Sequence, residues 1–420
     1  MHLSPPSPDA RTALFALEQF GIKLGLDQIR GLLQALRHPE RAFPSIVIAG
    51  TNGKGSVTAM LERGLRAAGY RTGRYTSPHL LHIEERFAID GIAISASVFE
   101  AAAARVLAAA TALPAPPSFF EATTALALDV FREAHVDVAV LEVGLGGRLD
   151  ATNAVDAVAV VITAVDFDHE QYLGHTLRAI AGEKAGVIKP GAVVVLGDNP
   201  PDVEAVVAAR CAETGATLVR AKDGTVLEAT MVEGQAHLTV DTPASRYDDI
   251  TLGLRGRHQV TNALTALRVL EVLPGFDVGP AARRTALEDV VWPARLELTR
   301  VDDAVVLIDG AHNPAGARAL SAYIAETYGR PLPMVVGIMR DKQIDAMIAA
   351  FSTSASAFVF TAPVSTRAAS PVELAAVAAR VAPHLPTSVS DDPRAAIRMA
   401  AAVDSPVVVA GSLYLAGEVR

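Results

Sequence analysis

The stretch Ser45-Ile46-Val47-Ile48-Ala49-Gly50-Thr51-Asn52-Gly53-Lys54-Gly55-Ser56 decides the fold. An apolar run of strand character enters a glycine-rich turn holding a lysine and a hydroxyl. Helical signals follow at once, from Val57 to Ala68. Glycines at 50, 53 and 55 allow positive φ and let the backbone approach an anion closely. Amides at the start of the following helix point at that anion, and the helix dipole favours negative charge there. Lys54 can neutralise phosphate, and the Ser56 hydroxyl can reach a magnesium ion. The stretch reads as a nucleotide-phosphate loop, with Gly50 to Ser56 contacting ATP. It departs from the usual G-x-x-x-x-G-K-[ST] spacing, because Gly55 separates Lys54 from Ser56. A glycine-rich strand-to-helix turn can also occur without a ligand, but here glycines, lysine and serine coincide.

Outward from this loop, short Val/Ile runs alternate with Ala/Leu-rich helical patterns. Strands are expected at Ile46–Ala49, Val136–Val143, Ala157–Ala164, Ala192–Leu196 and Ala216–Val219. Helices are expected at Val57–Ala68, Phe119–Ala134, Thr176–Gly186, Asp202–Thr214 and His258–Leu273. This rhythm predicts an α/β fold whose mostly parallel sheet carries helices on both faces. Thr225–Asp241 alternates apolar and polar residues and reads as a small antiparallel patch. A second series follows Trp292-Pro293, with strands near Val305–Ile308, Met334–Gly337, Phe358–Thr361 and Val407–Ala410. Two domains are expected, 1–292 with the phosphate loop and a smaller α/β domain, 293–420.

A chain of 420 residues, half of them hydrophobic, can bury such cores. A net charge of −9 argues against a nucleic-acid partner. Cys211 is the single cysteine, which precludes an intramolecular disulfide and argues against a structural zinc cluster. Charges and prolines interrupt the apolar runs, and Met1–Arg11 lacks the features of a signal peptide. A cytoplasmic protein that is not membrane-bound is expected.

Ligands in α/β sheets sit at the carboxyl ends of strands. Glu142 closes an apolar strand and is a candidate magnesium ligand. The loop Gly144–Asp150 follows, and the Arg148 guanidinium could hold an anionic substrate. The next strand ends in Asp166-Phe167-Asp168-His169. A lone His169 reads as a structural or surface histidine, yet its place at an adjacent strand end makes it a candidate site residue. Lys184 lies late in a helix and reads as a solvated lysine or a partner of the helix dipole. In Asp309-Gly310-Ala311-His312-Asn313-Pro314, helix capping accounts for Asn313 and Pro314. It does not account for Asp309 or His312, which could contact nucleotide or substrate.

These segments together resemble the folylpolyglutamate synthase family, often bifunctional with dihydrofolate synthase, within the Mur ligase superfamily. The matching stretches are GTNGKGS from Gly50, YTSPHL from Tyr75, ERFAIDG from Glu85 and FFEATTALAL from Phe119. LEVGLGGRLDATN from Leu141, DHEQYLG from Asp168 and GEKAGVIKPG from Gly182 continue the match. HQVTNALTAL from His258, DGAHNP from Asp309, GIMRDK from Gly337 and AGSLYLAGEVR from Ala410 complete it. The resemblance covers almost the whole chain.

It implies a P-loop Mur-ligase-like central domain, a Rossmann-like C-terminal domain, and an ATP- and Mg²⁺-dependent amide ligase. ATP would activate a folate or dihydropteroate carboxylate, and L-glutamate would attack the acyl phosphate. The resemblance puts Lys54 on the β/γ phosphates and Asn262, Arg295 and Asp309 on ATP. It places Ser56, Ser77, Glu142, His169 and Lys184 around two metal sites, with Lys184 carboxylated on Nζ. His312 would lie near the transferred phosphoryl and glutamate, so Lys54, Lys184 and His312 form the catalytic set. Leu24, Gly25, Phe120, Arg148 and Asp150 would line the substrate side. A monomer is expected.

Two positions depart from the family pattern. Ala294 stands where W-P-G-R has glycine, and Gln28 stands where arginine is common after L-G-L. The first bears on the linker backbone; the second leaves the choice between dihydropteroate and tetrahydrofolate open. Another Mur-type ligase, acting on peptidoglycan precursors, would carry a UDP-binding domain ahead of the loop, and Met1–Pro44 is short for one. A non-catalytic nucleotide-binding regulator would tolerate loss of Glu142, His169 and Lys184, all of which are present.

Overall fold

A computed structural model describes residues 9–21 and 23–420. The larger sheet contains β1 (Ser45–Ala49), β2 (Thr72–Tyr75), β3 (Phe87–Ile89), β4 (Ile92–Ala93), β5 (Val138–Glu142), β6 (Ala157–Ile162), β7 (Val193–Leu196) and β8 (Thr217–Arg220). Their order is β4-β3-β2-β5-β1-β6-β7-β8. The six strands from β2 to β8 through β1 run parallel, and β3 and β4 add an antiparallel edge. β1 and β5 are buried along their whole length. That is why they read as continuous apolar runs instead of alternating ones.

The period of two divides the strand residues between two cores. Val47, Leu141, Val160 and Ile162 pack on one face, under helices that include Phe119–Glu133 and Pro201–Thr214. Ile46, Ile48, Val140 and Val161 pack on the other, under helices Lys54–Ala67, His258–Val272 and Pro280–Glu288. The antiparallel patch is also present, as β9 (Val226–Val232), β10 (Gln235–Asp241) and β11 (Arg246–Thr251).

The second sheet contains β12 (Glu297–Val301), β13 (Ala304–Ile308), β14 (Leu332–Val336), β15 (Ala355–Phe360), β16 (Thr387–Val389) and β17 (Val407–Ala410). Its order is β12-β13-β17-β14-β15-β16, parallel except for β12. Helices Pro314–Tyr328 and Ile344–Ser352 cover one face, and Pro393–Ala401 with Leu413–Val419 cover the other. Among the described residues, no helix is long and apolar enough to cross a membrane.

The linker between the sheets carries the Ala294 departure. Ala294 is fully buried with φ +56°, in the left-handed region that suits the family's glycine. Its carbonyl accepts from the Gly310 amide at 2.8 Å, and its amide donates to Glu297 Oε2 at 2.9 Å. A left-handed L-residue costs about 1–2 kcal/mol, and glycine would forfeit about 0.5–1 kcal/mol of chain entropy. Ala294→Gly is therefore expected to stay within about 1 kcal/mol of the parent in urea unfolding. Ala294→Val, β-branched and larger in a sealed site, should lose about 2–4 kcal/mol.

Candidate active site

β1 lies between β5 and β6, and the carboxyl ends of these three strands carry the loop after Ala49, Glu142, and the segment Thr163–His169. Carboxyl ends of the second sheet supply Asp309 after β13 and the loop Gly337–Gln343 after β14. The two sets meet. Asn313 Nδ2 donates to Asn52 Oδ1 at 3.0 Å and to Asp168 Oδ2 at 3.2 Å. Lys342 Nζ donates to Asp168 Oδ1 at 2.8 Å, and Gln343 Nε2 to Glu170 Oε1 at 2.6 Å. Between them lies a cavity of about 160 Å³, lined in part by Asp168, His169, Asn313 and Lys342.

The phosphate loop is held from beneath by the residues just after β6. The amides of Thr51 and Asn52 both donate to the Ala164 carbonyl, at 2.8 and 3.1 Å. The Thr163 hydroxyl donates to the Asn52 carbonyl at 2.8 Å. Gly50 has φ +153°, and a Cβ there would sit 1.8 Å from Thr163 Oγ1, so no side chain fits. Gly53, at φ +88°, faces Asn262, whose Oδ1 would lie 2.3 Å from a Cβ. Asn262 in turn donates to Gln259, and Gln259 Nε2 to Ser56 Oγ at 3.2 Å. Because Ala164 occupies the Thr51 and Asn52 amides, the donors left for an anion are those of the first helical turn, which have no intrahelical partner.

The helix begins at Lys54, three residues earlier than its apolar pattern indicates. Lys54 is accordingly not an exposed loop lysine. It is half-buried, and its ammonium folds back onto the Gly50 and Thr51 carbonyls, at 3.1 Å each. Burial pushes its pKa down, against the attraction of Glu142. Lys184 is not a solvated helix lysine either. It is 3 % exposed, and its Nζ donates to the same Gly50 carbonyl at 2.8 Å. Two amines thus converge on one oxygen, 134 residues apart in sequence for Lys184 and Gly50. Burial, reinforced by the Lys54 charge, pushes the Lys184 amine down to about 7.

Glu142 ends β5, buried, and accepts from the Ser77 amide at 3.4 Å. Burial pushes its carboxyl up, and Lys54 and Arg295 oppose that. His169 takes φ +51° at the start of the short helix Glu170–Leu173. Burial lowers its pKa to about 4, so the ring is neutral, and its Nε2, 3.4 Å from Lys342 Nζ, can accept a hydrogen bond or ligate. His312 is also held near 4, chiefly by burial and then by Lys342. Its Nδ1 lies 2.9 Å from the Gly310 carbonyl, which can only accept. Nδ1 therefore carries the proton, and Nε2 turns a lone pair toward Asp168, 3.8 Å from Oδ2.

Other expected site residues have different surroundings. Asp309 spends both oxygens on backbone amides, those of Leu296 and Ala311, each at 2.9 Å, and so fixes the linker. Asp150 is buried and accepts from Leu145 N, Thr152 N and Thr152 Oγ1; it pins the Gly144–Asp150 loop and has no oxygen turned outward to substrate. Arg148 is exposed and paired with Glu183 at 2.9 Å, so its guanidinium is already engaged by a carboxylate. Phe120 packs against Tyr75 at 5.9 Å and under Gly144, next to the Glu142 strand end. Leu24 is exposed on a loop whose Lys23 reaches the Pro116 carbonyl; a Cβ on Gly25 would meet nothing within 4 Å. Among the described residues, no three His, Cys, Asp or Glu side chains form a metal cage.

Sequence reasoning assigns no role to Lys342, Asp168 or Gln259. Lys342 follows β14 in the quoted GIMRDK segment, at a strand's carboxyl end, and that position was the available signal.

Comparison with known proteins places the chain in a family. Residues 48–270 match the Mur ligase middle domain, and 294–413 the Mur ligase glutamate ligase domain. A folylpolyglutamate synthase of Lacticaseibacillus casei is 37% identical, covering 94% of this chain and 93% of its own. A dihydrofolate synthase/folylpolyglutamate synthase of Mycobacterium tuberculosis is 36% identical, covering 99% and 95%. The M. tuberculosis folylpolyglutamate synthase structure complexed with ADP and AMPPCP superimposes with a TM-score of 0.89, at 36% identity over 97% of this chain and 98% of that one. A bifunctional folylpolyglutamate synthase/dihydrofolate synthase structure with Mn, AMPPNP and L-glutamate bound gives 0.85, at 31% identity over 98% and 97%. The chain belongs to the folylpolyglutamate/dihydrofolate synthase family of ATP-dependent ligases, within the Mur ligases.

Proposed function

We propose that the cleft joins L-glutamate to both dihydropteroate and reduced folates. The observation that carries this reading is the meeting of the phosphate loop, with Lys54 and Lys184 on one carbonyl, and the His312–Lys342 side of the second sheet. An acceptor carboxylate oxygen attacks the γ-phosphorus of ATP, and the bond to the β-phosphate oxygen breaks. Glutamate's amine then attacks the acyl carbon, loses a proton, and expels phosphate. Such phosphoryl transfer depends mainly on positioning and charge neutralisation. Lys54, the first-turn amides and Arg295 supply positive charge to the phosphates. His312 Nε2, neutral and aimed into the cleft, accepts the proton that the amine must lose. Residues 1–292 and 293–420 act as two bodies that close on the acyl phosphate and exclude water.

The donors fit a magnesium ion: hydroxyls of Ser56 and Ser77, the Glu142 carboxylate and the neutral His169 ring. Hydroxyl and carboxylate oxygens are the ligand types the ion prefers, and phosphate oxygens and water would complete its coordination. Two sites are proposed, with carboxylated Lys184 supplying further oxygens. When bound, the cation supplies charge neutralisation at the phosphates. A monomeric state and a cytoplasmic location belong to the same proposal.

ADP release measured in parallel with dihydropteroate and with tetrahydrofolate, each with glutamate and ATP, should appear in both arms. Release with tetrahydrofolate alone would restrict the activity to polyglutamate synthesis.

A further inference from the structure

The His169 ring nitrogen that would ligate a metal already faces a cation. Lys342 Nζ lies 3.4 Å from His169 Nε2 while donating to Asp168 Oδ1 at 2.8 Å. Its side chain is 9 % exposed, and that of Asp168 11 %. The lysine comes from the loop after β14, whereas Asp168 and His169 follow β6, so one ammonium ties the two sheets' strand ends together. The loop is itself held, through the Met339 carbonyl and the Lys342 amide at 3.1 Å and the Met339–Ala368 bridge. Asp168 also accepts from Asn313 Nδ2 on its second oxygen. No second carboxylate approaches Lys342 within ion-pair distance among the described residues. Burial raises the Asp168 carboxyl, and the adjacent Lys342 ammonium outweighs it and holds the group below the usual range.

We propose that Lys342 is a positioning residue that fills the cation place beside His169 and Asp168, and that a divalent ion must displace it. The inference rests on the reading of His169 as a metal ligand. A fixed unit charge a few ångströms from a divalent ion repels it even in water, and more strongly in a buried place. Lys342 therefore keeps the His169 position weak for free metal. Its displacement at the same time releases the tether between the loop after β14 and the end of β6. Metal loading and interdomain geometry are thereby coupled through one side chain.

The test is Mn²⁺ affinity by electron paramagnetic resonance on the nucleotide-free full chain, with wild type, Lys342→Met, His169→Ala and the double variant. Lys342→Met should bind Mn²⁺ at least about tenfold more tightly. The gain should vanish in the double variant. Lys342→Gln should repeat the gain, which separates charge removal from a packing effect of methionine. Unchanged or weaker binding by both Lys342 variants, with His169→Ala still weakening it, overturns the competition and spares the metal reading of His169. No effect of His169→Ala in either background overturns both.

Discussion

Lys54→Met will lower kcat/KM for ATP-dependent ligation by about 10²- to 10³-fold, the range for removing one preorganised charge from a developing anion. In the resting structure the ammonium bonds the Gly50 and Thr51 carbonyls, inside the loop that is to hold the phosphates. It is half-buried and close enough to Glu142 for each to hold the other's charged form against burial. Methionine keeps the length of the stem and removes the charge. The helix from Gly55 onward does not depend on it, because Val57 N already donates to the Gly53 carbonyl at 2.9 Å. Circular dichroism and the unfolding midpoint should therefore change little while turnover collapses. Ligation at the parent rate would remove Lys54 from the phosphate site.

Lys184→Arg and Lys184→Ala will each lower turnover by about 10²-fold and weaken divalent-cation binding, on the scale of disturbed metal-site support. Lys184 and Lys54 share the Gly50 carbonyl, an arrangement that sets two amines against each other in a buried place. Loss of a proton from Lys184 relieves the repulsion, and a pKa near 7 makes that accessible. The free amine's lone pair can attack the carbon of CO₂, releasing one N–H proton and leaving a carbamate. Its negative oxygens then face Lys54 favourably and offer magnesium the ligand type it prefers. Carbon-13 NMR after exposure to labelled bicarbonate should show a carbamate resonance in the parent that Lys184→Arg lacks. Full activity in the arginine variant would contradict this, since its guanidinium does not carboxylate in this way.

The sequence discloses the parts of the fold whose burial is complete. β1, β5 and β6 stand out as Val/Ile runs because both faces are covered. The start of helix Pro314–Tyr328 is legible, where Asn313 caps it and Pro314 opens it. β2 is not, since Thr72-Gly73-Arg74-Tyr75 carries a glycine packed on Phe131 and an arginine reaching Glu62. β12 escapes for a similar reason: Glu297-Leu298-Thr299-Arg300-Val301 is an exposed edge. In the candidate site, the reading of Glu142 and His169 rests on their strand-end positions, and both lie at the carboxyl ends of the larger sheet. Burial of Lys184 is not visible in a helix pattern, because it depends on Gly50 arriving from 134 residues away. Arg148 and Asp150 show the converse. Their residue types suit a substrate; in this structure Arg148 pairs with Glu183, and Asp150 accepts from the loop's own amides.

The most direct test of glutamate ligation through an acyl phosphate in this cleft follows one oxygen atom. Dihydropteroate or tetrahydrofolate with heavy oxygen in both positions of the reacting carboxylate is turned over with ATP and glutamate, and the released phosphate is analysed by mass. The carboxylate oxygen that attacks the γ-phosphorus stays with it when the amide forms, so each phosphate released by ligation should carry one heavy oxygen. Amide formation with unlabelled phosphate would contradict the account.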